Sequence, residues 1–370
     1  MKRDTIEKTK ELRKKLHEIP EKSMHETKTK KLLMDFISEN TSLNVTDCGS
    51  WFYITKYAQE DGQSPEKRRA IAFRADMDAV CGKDGKPGHY CGHDGHSAIL
   101  AGLALCLDER KTDKDIYLIF QPAEETGEGA AICAKLLAEK NVKEIYGLHN
   151  IPGFPEKSVL ARRGTFACAS TGLAITMTGT PSHAGYPEAG KNPGYALARL
   201  LLAVQELTAK IKKEKGFVLM TLIGMDVGSA NYGVSASNGT LRMTVRGEKE
   251  SVFNEYLAQI RSLAEKEASE EGLTLQIEEI ERFPATENHD ECVDKVQRAA
   301  ERAGASVIEL TEAMRWSEDF GCYLQKTPGA FFGIGDGEGY AQLHTVNYEF
   351  PDEIIETALK MFSEISLEKN

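Results

Sequence analysis

The sequence predicts an α/β fold in which one α/β domain is interrupted by a smaller α+β domain. Short apolar runs alternate with helical segments through residues 1–170, the pattern of a sheet covered by helices. The pattern changes near Thr171, and it returns to α/β alternation after Pro284. We therefore expect residues 1–170 and 284–370 to form one discontinuous domain, with residues 171–283 as the inserted domain.

The elements of each domain follow from the spacing of the apolar residues. The first domain is expected to contain helices over 4–18, 26–39, Ser97–Leu107, Ala130–Leu137, Glu291–Ala303 and around Ser317–Leu324, with strands Ala70–Phe73, Ile116–Phe120, Glu144–Leu148 and Ala330–Ile334. The inserted domain is expected to contain strands Leu173–Thr178, Val218–Gly224 and Thr240–Val245, with helices Pro193–Lys210 and Ser251–Ala268. Two helices on a small antiparallel sheet would give it a core of its own.

The charge balance argues against two classes of partner. The chain has 46 Lys and Arg residues against 57 Asp and Glu, for a net charge of −11, whereas nucleic acid and anionic membranes attract basic surfaces. No apolar run approaches the roughly 18–20 residues that span a bilayer. Residues 1–4 lead into a charged helical pattern instead of an apolar signal-peptide core. We therefore expect a cytoplasmic protein, with most of its eight cysteines present as buried thiols.

Two short motifs contain groups that bind transition metals. Cys91-Gly92-His93-Asp94-Gly95-His96 combines a thiol, two imidazoles and a carboxylate, although a lone Cys-x-His pair could be coincidental. Glu124 and Glu125 follow the predicted strand Ile116–Phe120. In an extended segment they would point in opposite directions, so that one could bind a metal and the other act as a general base. Two solvated glutamates are the alternative.

His149 and His344 follow two further predicted strands. A single histidine at a strand end is often a structural residue, so position is the stronger argument. In open α/β sheets, sites form at the carboxyl ends of the strands. The groups expected at or beyond such ends are Asp76, Cys91, His93, Glu124, Glu125, His149 and His344.

These motifs resemble the amidohydrolase branch of the di-metal aminoacylase/carboxypeptidase family, which includes hippurate hydrolases, indole-acetyl-amino-acid hydrolases and N-acetyldiaminopimelate deacetylases. The resemblance covers nearly the whole chain. It is carried by Arg13…Leu16-His17…Pro20-Glu21, Arg74-Ala75-Asp76-Met77-Asp78, Cys91–His96, Phe120–Glu125, Gly147-Leu148-His149, Ser182-His183-Ala184, Gly239-Thr240-Leu241-Arg242, Glu318-Asp319-Phe320 and Leu343-His344.

The resemblance implies a centre of two divalent ions per chain, with zinc or manganese expected and cobalt or nickel as alternatives. The implied metal ligands are Cys91, His93, Glu125, His149 and His344, with Cys91 as the bridge between the ions. Glu124 would be the general base and then the general acid. Asp76 would orient one of the ligands.

The resemblance also assigns roles to the inserted domain, as a lid and as the surface of a homodimer. His183 would reach the scissile carbonyl, often from the neighbouring subunit; as a residue considered alone it would be a surface turn histidine. Asn231 and Arg242 are candidates for binding a substrate carboxylate. A turn residue and an exposed salt bridge are their alternative roles.

The expected reaction is hydrolysis of the amide bond of an N-acyl amino acid or a peptide-like relative of it. A dipeptidase or aminopeptidase of the same superfamily is the first alternative, but such enzymes more often use Asp as the bridging ligand than a residue such as Cys91. A catalytically silent binding protein is the second alternative, but it should lack a ligand or the base, and every position is filled.

The chain departs from the family pattern at two places. Residues 79–90 form a shorter loop than members of the family usually have, and this loop contains Cys81 and His89, which could act as spare ligands but are expected to be structural or solvated. Asn231 is followed by Tyr232-Gly233-Val234 instead of apolar residues and a proline. Substrate preference therefore cannot be carried over from the family.

Overall fold

A computed structural model describes residues 2–59, 69–82 and 85–368. The chain divides into two compact units. The first consists of Met1–Phe166, Thr286–Ala313 and Glu318–Asn370, and the second of Ala167–Ala285 and Met314–Ser317. The predicted boundaries place Met314–Ser317 in the discontinuous domain instead.

The described residues form the following elements. The helices are α1 (Arg3–His17), α2 (Thr27–Asn40), α3 (His93–Asp108), α4 (Gly129–Cys133), α5 (Lys135–Glu139), α6 (Pro193–Lys215), α7 (Glu250–Glu270), α8 (Asp290–Ala303), α9 (Gly321–Leu324) and α10 (Ile355–Leu367). The strands are β1 (Asn44–Asp47), β2 (Phe52–Lys56), β3 (Ala70–Asp76), β4 (Val80–Cys81), β5 (Pro87–Gly88), β6 (Asp115–Gln121), β7 (Val142–Pro152), β8 (Val159–Ala161), β9 (Gly164–Ala167), β10 (Ala169–Thr178), β11 (Val218–Val227), β12 (Asn238–Gly247), β13 (Thr274–Phe283), β14 (Thr286–Asn288), β15 (Val307–Glu309) and β16 (Gly329–Gly337).

The first unit is built on an eight-stranded mixed sheet, in the order β1-β2-β6-β3-β7-β16-β8-β15. Its four central strands, β6, β3, β7 and β16, are mutually parallel. Every residue of β3 and β6 is buried, as expected for parallel strands covered on both faces. Parallel strands end at the same edge of a sheet, so the segments that follow these four strands lie along one edge.

Helix α3 packs closely against this sheet and against α1. A Cβ on Gly102 of α3 would lie 2.4 Å from Thr9 Oγ1 of α1, so the absence of a side chain lets the two helices approach each other. Leu12 and Leu16 of α1 belong to the same buried core as Leu100 and Leu103 of α3. This packing fixes the amino end of α3, where the Cys91–His96 motif begins.

The second unit has a four-stranded antiparallel sheet, in the order β11-β12-β10-β13. Helices α6 and α7 cover one of its faces and share a core with it, as predicted. Strand β13 was missed, because it is a largely exposed edge strand whose charged residues weaken the apolar alternation. Among the described residues, no helix combines the length and the apolar character needed to cross a membrane.

Two further predictions differ from the structure of the first unit, and one of its helices was not predicted. The helix predicted over Ala130–Leu137 is two short helices, α4 and α5, which meet at Ala134. The helix predicted around Ser317–Leu324 is limited to α9. Helix α10 was not predicted, although its Ile355, Leu359 and Phe362 are buried in the core.

Candidate metal centre

The candidate ligands come together at the carboxyl edge of the central parallel strands. Asp76 is the last residue of β3, and Glu124 and Glu125 lie in the turn after β6. His149 lies near the end of β7, and His344 lies in the segment after β16. The predicted placement at strand ends therefore corresponds to the structure.

Cys91 and His93 reach the same edge from the start of α3. Gly92, between them, has a φ of +93° and is the N-cap of the helix. A Cβ at this position would lie 2.5 Å from Asn150 Oδ1, so only glycine fits both the backbone conformation and the space. The turn at Gly92 places the Cys91 thiol and the His93 imidazole close together.

The ligand atoms form two triplets that share the Cys91 sulfur. In the first, the atoms of Cys91, His93 and His149 lie within 4.8 Å of one another, and Sγ is 3.4 Å from His149 Nε2. In the second, His344 Nε2 is 3.3 Å from the same Sγ and 3.6 Å from Glu125 Oε1. A shared thiolate with two ligands on each side is suited to bridging two ions.

Two buried atoms in this group support the fit of a metal. His93 Nε2 and Glu125 Oε1 are 3.6 Å apart, and neither has a hydrogen-bond partner among the described residues. Buried polar atoms without a partner are rare because losing hydration without compensation is costly. Imidazole, thiolate and carboxylate together are a donor set suited to zinc and related transition ions.

The outer ring nitrogens hold two histidines in the ligating orientation. Nδ1 of His93 lies 3.0 Å from the Asp78 carbonyl oxygen and 3.3 Å from Asp78 Oδ1, and Nδ1 of His149 lies 2.7 Å from the Asn150 carbonyl oxygen. Because these oxygens only accept, each Nδ1 carries a proton and each Nε2 is directed at the centre.

Asp78, for which no role was predicted, thus makes the contact with a candidate ligand that was expected of Asp76. Asp78 Oδ2 also accepts a hydrogen bond from the Glu125 N–H (3.0 Å). Asp76 instead contacts Nδ1 of His96 (2.7 Å) and the Arg74 guanidinium (2.8 Å). The spacing gives a partial signal, since Asp78 lies two residues beyond Asp76 and so on the same side of an extended chain, but it does not tell which of the two contacts His93.

The two adjacent glutamates lie in a turn, which corrects the prediction of an extended segment. Ala123, just before them, has a φ of +51° and redirects the chain after β6. Both carboxylates consequently face His93 Nε2, Glu124 at 3.8 Å and Glu125 at 3.6 Å. The Asp319 N–H also donates to Glu124 Oε1 (3.4 Å), so this carboxylate is held beside the ligands.

Burial and like charge shift the titration of these groups. Burial, and then the charges of Glu318, Glu125 and Asp319, raise the pKa of Glu124 well above its usual value. Burial raises the pKa of Glu125 to about 7, and burial raises the pKa of the Cys91 thiol. Bound cations would act in the opposite direction, because they favour the thiolate and the carboxylate.

The two spare candidates, Cys81 and His89, are separate from both triplets. Cys81 is exposed on β4, which pairs with β5 in a short hairpin; Lys83 and Asp84, within this loop, lie outside the described residues. His89 is buried, with Nε2 3.1 Å from the Leu16 carbonyl oxygen. This contact agrees with the structural role expected for His89.

The remaining predicted residues lie in the second unit. His183 is exposed and forms an isolated bridge with Val234, and the Gly185 N–H donates to its Nδ1 (3.0 Å). Asn231 Oδ1 accepts from the Gly233 N–H (3.1 Å), as in a turn. Arg242 on β12 pairs with Asp226 on β11, and both side chains are largely exposed. Asn231 and Arg242 thus make the contacts of their alternative roles.

Comparison with known proteins identifies a family. The model of peptidase family M20/M25/M40 matches residues 72–368. The chain is 28% identical to an N-acetyldiaminopimelate deacetylase of Shouchella clausii (strain KSM-K16) over 94% of its length and 95% of the relative's. It is 25% identical to an N-acetylcysteine deacetylase of Bacillus subtilis (strain 168), over 96% and 95% of the two chains. A dinuclear metal-binding peptidase from B. subtilis has the same fold, with a TM-score of 0.82 and 23% identity over 99% and 98% of the chains.

The contacts of Asp78 lead to a prediction. In Asp78→Ala, the His93 ring and the Glu125 backbone each lose a partner, and we expect Zn²⁺ affinity to fall by about 10–100-fold. Affinity is measured by competition with a chromophoric chelator. Asp115→Asn is the matched control. Asp115 is a buried aspartate at the start of β6, away from the candidate ligands, and its carboxylate accepts a hydrogen bond from the Ala58 N–H. An equal loss of affinity in both variants would contradict the orienting role.

Proposed function

The chain belongs to peptidase family M20/M25/M40, and on this basis we propose that it is an amidohydrolase that hydrolyses the amide bond of N-acyl amino acids with two divalent metal ions. The observation that supports this most directly is the pair of ligand triplets that share Cys91, with the Glu124 carboxylate beside them. The two curated relatives are named as deacetylases of N-acetylated amino acids, which agrees with this substrate class.

In the proposed mechanism, Cys91, His93 and His149 would hold one ion, and Cys91, Glu125 and His344 would hold the other. Bound there, the ions would supply Lewis acidity, which lowers the pKa of a water molecule and polarises the amide carbonyl. Glu124 accepts the proton of the attacking water and then delivers it to the nitrogen of the leaving amine. Its position beside both triplets suits it to these two steps.

His183 is proposed to stabilise the oxyanion that develops on the amide carbonyl. Its Nδ1 accepts a hydrogen bond from the Gly185 N–H, which leaves the proton on Nε2. Because the His183 ring is exposed, this N–H is available to donate to a substrate.

The donor set favours zinc or manganese as the native metal, with cobalt or nickel as alternatives. Thiolate and imidazole favour zinc and the later transition ions, whereas the carboxylate also accepts manganese. We further propose that the protein acts in the cytoplasm. A panel of acetyl-, benzoyl-, indole-acetyl- and aminobenzoyl-amino acids, together with dipeptides, tests the reaction and distinguishes it from dipeptidase activity.

The two adjacent glutamates give the second prediction. Glu124→Ala should retain both ions and lose turnover by about 10²–10⁴-fold, the usual contribution of general acid–base catalysis. Glu125→Ala should instead lower the metal content, as measured by elemental analysis. Glu128→Ala is the control in the same turn, since Glu128 is exposed and its carboxylate accepts a hydrogen bond from the Thr126 hydroxyl. If the phenotypes of Glu124→Ala and Glu125→Ala are exchanged, the two roles are exchanged as well.

We propose that the chain forms a homodimer through its second unit. Strand β11 is an edge of the second sheet, and its Leu222 and Ile223 are exposed. Tyr195 and Leu202 of α6 are also exposed, at 68% and 60%. An unpaired edge with exposed apolar side chains is suited to pairing with a second copy about a twofold axis.

The dimer allows a test of whether His183 acts in the partner's site. Inactive Glu124→Ala mixed with inactive His183→Ala should recover part of the activity, because one site of the hybrid dimer would have both residues. A mixture of Glu124→Ala with Glu125→Ala should recover none, because each catalytic centre carries a defect of its own. If subunit exchange is verified and the first mixture remains inactive, His183 acts within its own chain.

Asn231 and Arg242 are proposed to bind the carboxylate of the substrate. The guanidinium of Arg242 binds the carboxylate of Asp226, which supports the proposal that it can bind the carboxylate of a substrate. An exposed ion pair of this kind stabilises by about 0–1 kcal/mol. Replacing the Asp226 carboxylate with that of a substrate should therefore cost little free energy.

The corresponding prediction compares two substrates. Arg242→Ala should raise KM strongly for an N-acyl amino acid and little for the matching neutral amide. Asp226→Asn is the matched variant, since it removes the ion pair and keeps the guanidinium, and it should not raise KM for the acid. If both variants affect the acid and the amide equally, Arg242 only forms the salt bridge.

A further inference from the structure

The carboxylate of Glu26 connects the segment between α1 and α2 to the turn that carries the two adjacent glutamates. Glu26 is 3% exposed. Its Oε1 accepts one hydrogen bond from the Ala123 N–H (2.8 Å) and one from the Met24 N–H (3.0 Å). The mechanism proposed above gives this carboxylate no part in metal binding or proton transfer, so its burial requires another explanation.

Capping of α2 does not explain it. Glu26 occupies the N-cap position of α2 but makes no side-chain bond to the first turn of the helix. Glu21 serves that turn instead, because its Oε2 accepts from the N–H groups of Lys28 (2.8 Å) and Thr29 (2.9 Å). The Glu26 carboxylate is thereby left to bond Ala123.

Ala123 is a position where an external support matters. Its φ of +51° lies in the left-handed region, which is unfavourable for a residue with a Cβ. Pro122 precedes it and offers no N–H, and the Ala123 carbonyl accepts from the Gly129 N–H (3.1 Å). When Glu26 is ionised, the bond from the Ala123 N–H to its carboxylate is of the stronger, charge-assisted kind. It therefore helps to hold the backbone in this conformation.

The segment between α1 and α2 also supports the turn at Glu125. Ser23 Oγ donates to Asp78 Oδ2 (2.7 Å), the oxygen that accepts from the Glu125 N–H. The turn is thus fixed directly by Glu26 at Ala123 and through Asp78 at Glu125. Between these two points lies Glu124, whose carboxylate direction depends on both.

We propose that Glu26 is a positioning residue, which holds Ala123 in the left-handed conformation so that Glu124 and Glu125 face the metal centre together. The inference rests on the proposed function for the roles of these two glutamates. Burial raises the pKa of Glu26 to about 7. Glutamine keeps the accepting Oε1 in place, and so it should substitute for either protonation state of the acid.

The test compares variants that remove the bond with variants that keep it or make it unnecessary. Glu26→Ala removes the acceptor, and Glu26→Leu does so with less loss of volume, in case the alanine variant does not fold. Glu26→Gln keeps the acceptor. Ala123→Gly, combined with Glu26→Ala, supplies a residue that adopts positive φ without strain. Glu21→Ala is the matched control, because it removes the cap of α2 without affecting Ala123.

Two measurements are made on each purified protein: titration of the metal-free form with Co²⁺, followed by visible absorption, and kcat and KM for an N-acyl amino acid. We expect Glu26→Ala and Glu26→Leu to weaken the second Co²⁺ by about tenfold or more, and to lower kcat by a similar factor with little change in KM. Glu26→Gln should remain close to the unmodified protein. Ala123→Gly should restore part of both losses, and Glu21→Ala should lower only the Tm.

Two outcomes would overturn the proposal. In the first, the Glu26 variants lower the Tm as Glu21→Ala does and leave Co²⁺ affinity and kcat unchanged. In the second, Ala123→Gly restores neither quantity. If the unmodified protein binds Co²⁺ but hydrolyses no N-acyl amino acid, the proposed function fails instead, and the Co²⁺ titrations alone decide whether Glu26 positions the turn.

Discussion

The buried guanidinium of Arg74 is the interaction on which the arrangement of the centre depends. Its NH1 lies 2.8 Å from Asp76, and its NH2 lies 2.9 Å from Glu318 and 2.7 Å from Asp319. Burial disfavours the charge, but these carboxylates raise the pKa of Arg74 well above its usual value. Burying unpaired ions costs several kcal/mol each, so the pairing determines which segments can lie together. It joins the end of β3 to the segment before α9.

Gln121 and Asp319 extend this network to the turn after β6. Gln121 accepts from Arg74 Nε (2.7 Å) and donates to both Asp319 oxygens, and Asp319 also accepts from the Ala130 N–H (2.9 Å). The turn of Glu124 and Glu125 therefore begins and ends at residues bonded to one charge network. The ligand positions at the end of β6 are consequently fixed by tertiary contacts as well as by the strand.

Arg74 alone does not neutralise the carboxyl groups collected here. Five of them are buried: Asp76, Asp78, Glu124, Glu318 and Asp319. Burial, and to a smaller extent the charge of Glu318, raises the pKa of Asp319 to about 8. Divalent cations would offset the repulsion, so metal binding should also stabilise the folded chain. The buried acidic groups at this edge are therefore expected to gain stability from bound cations.

Features of the fold and of the candidate centre can be predicted from the sequence where neighbouring residues determine them, and not where distant residues do. The buried strands β3 and β6 and the ligands beyond them were predictable, because apolar runs and strand ends are local features. The turn at Ala123 was not, because alanine carries no local signal for a positive φ, and the supporting Glu26 lies 97 positions away in sequence. Asp78 was overlooked for a related reason: in the sequence it cannot be separated from Asp76, and only the direction of the His93 ring distinguishes them. Local sequence patterns therefore predicted the candidate ligands and the candidate base, whereas the residues that contact and orient them required the tertiary structure.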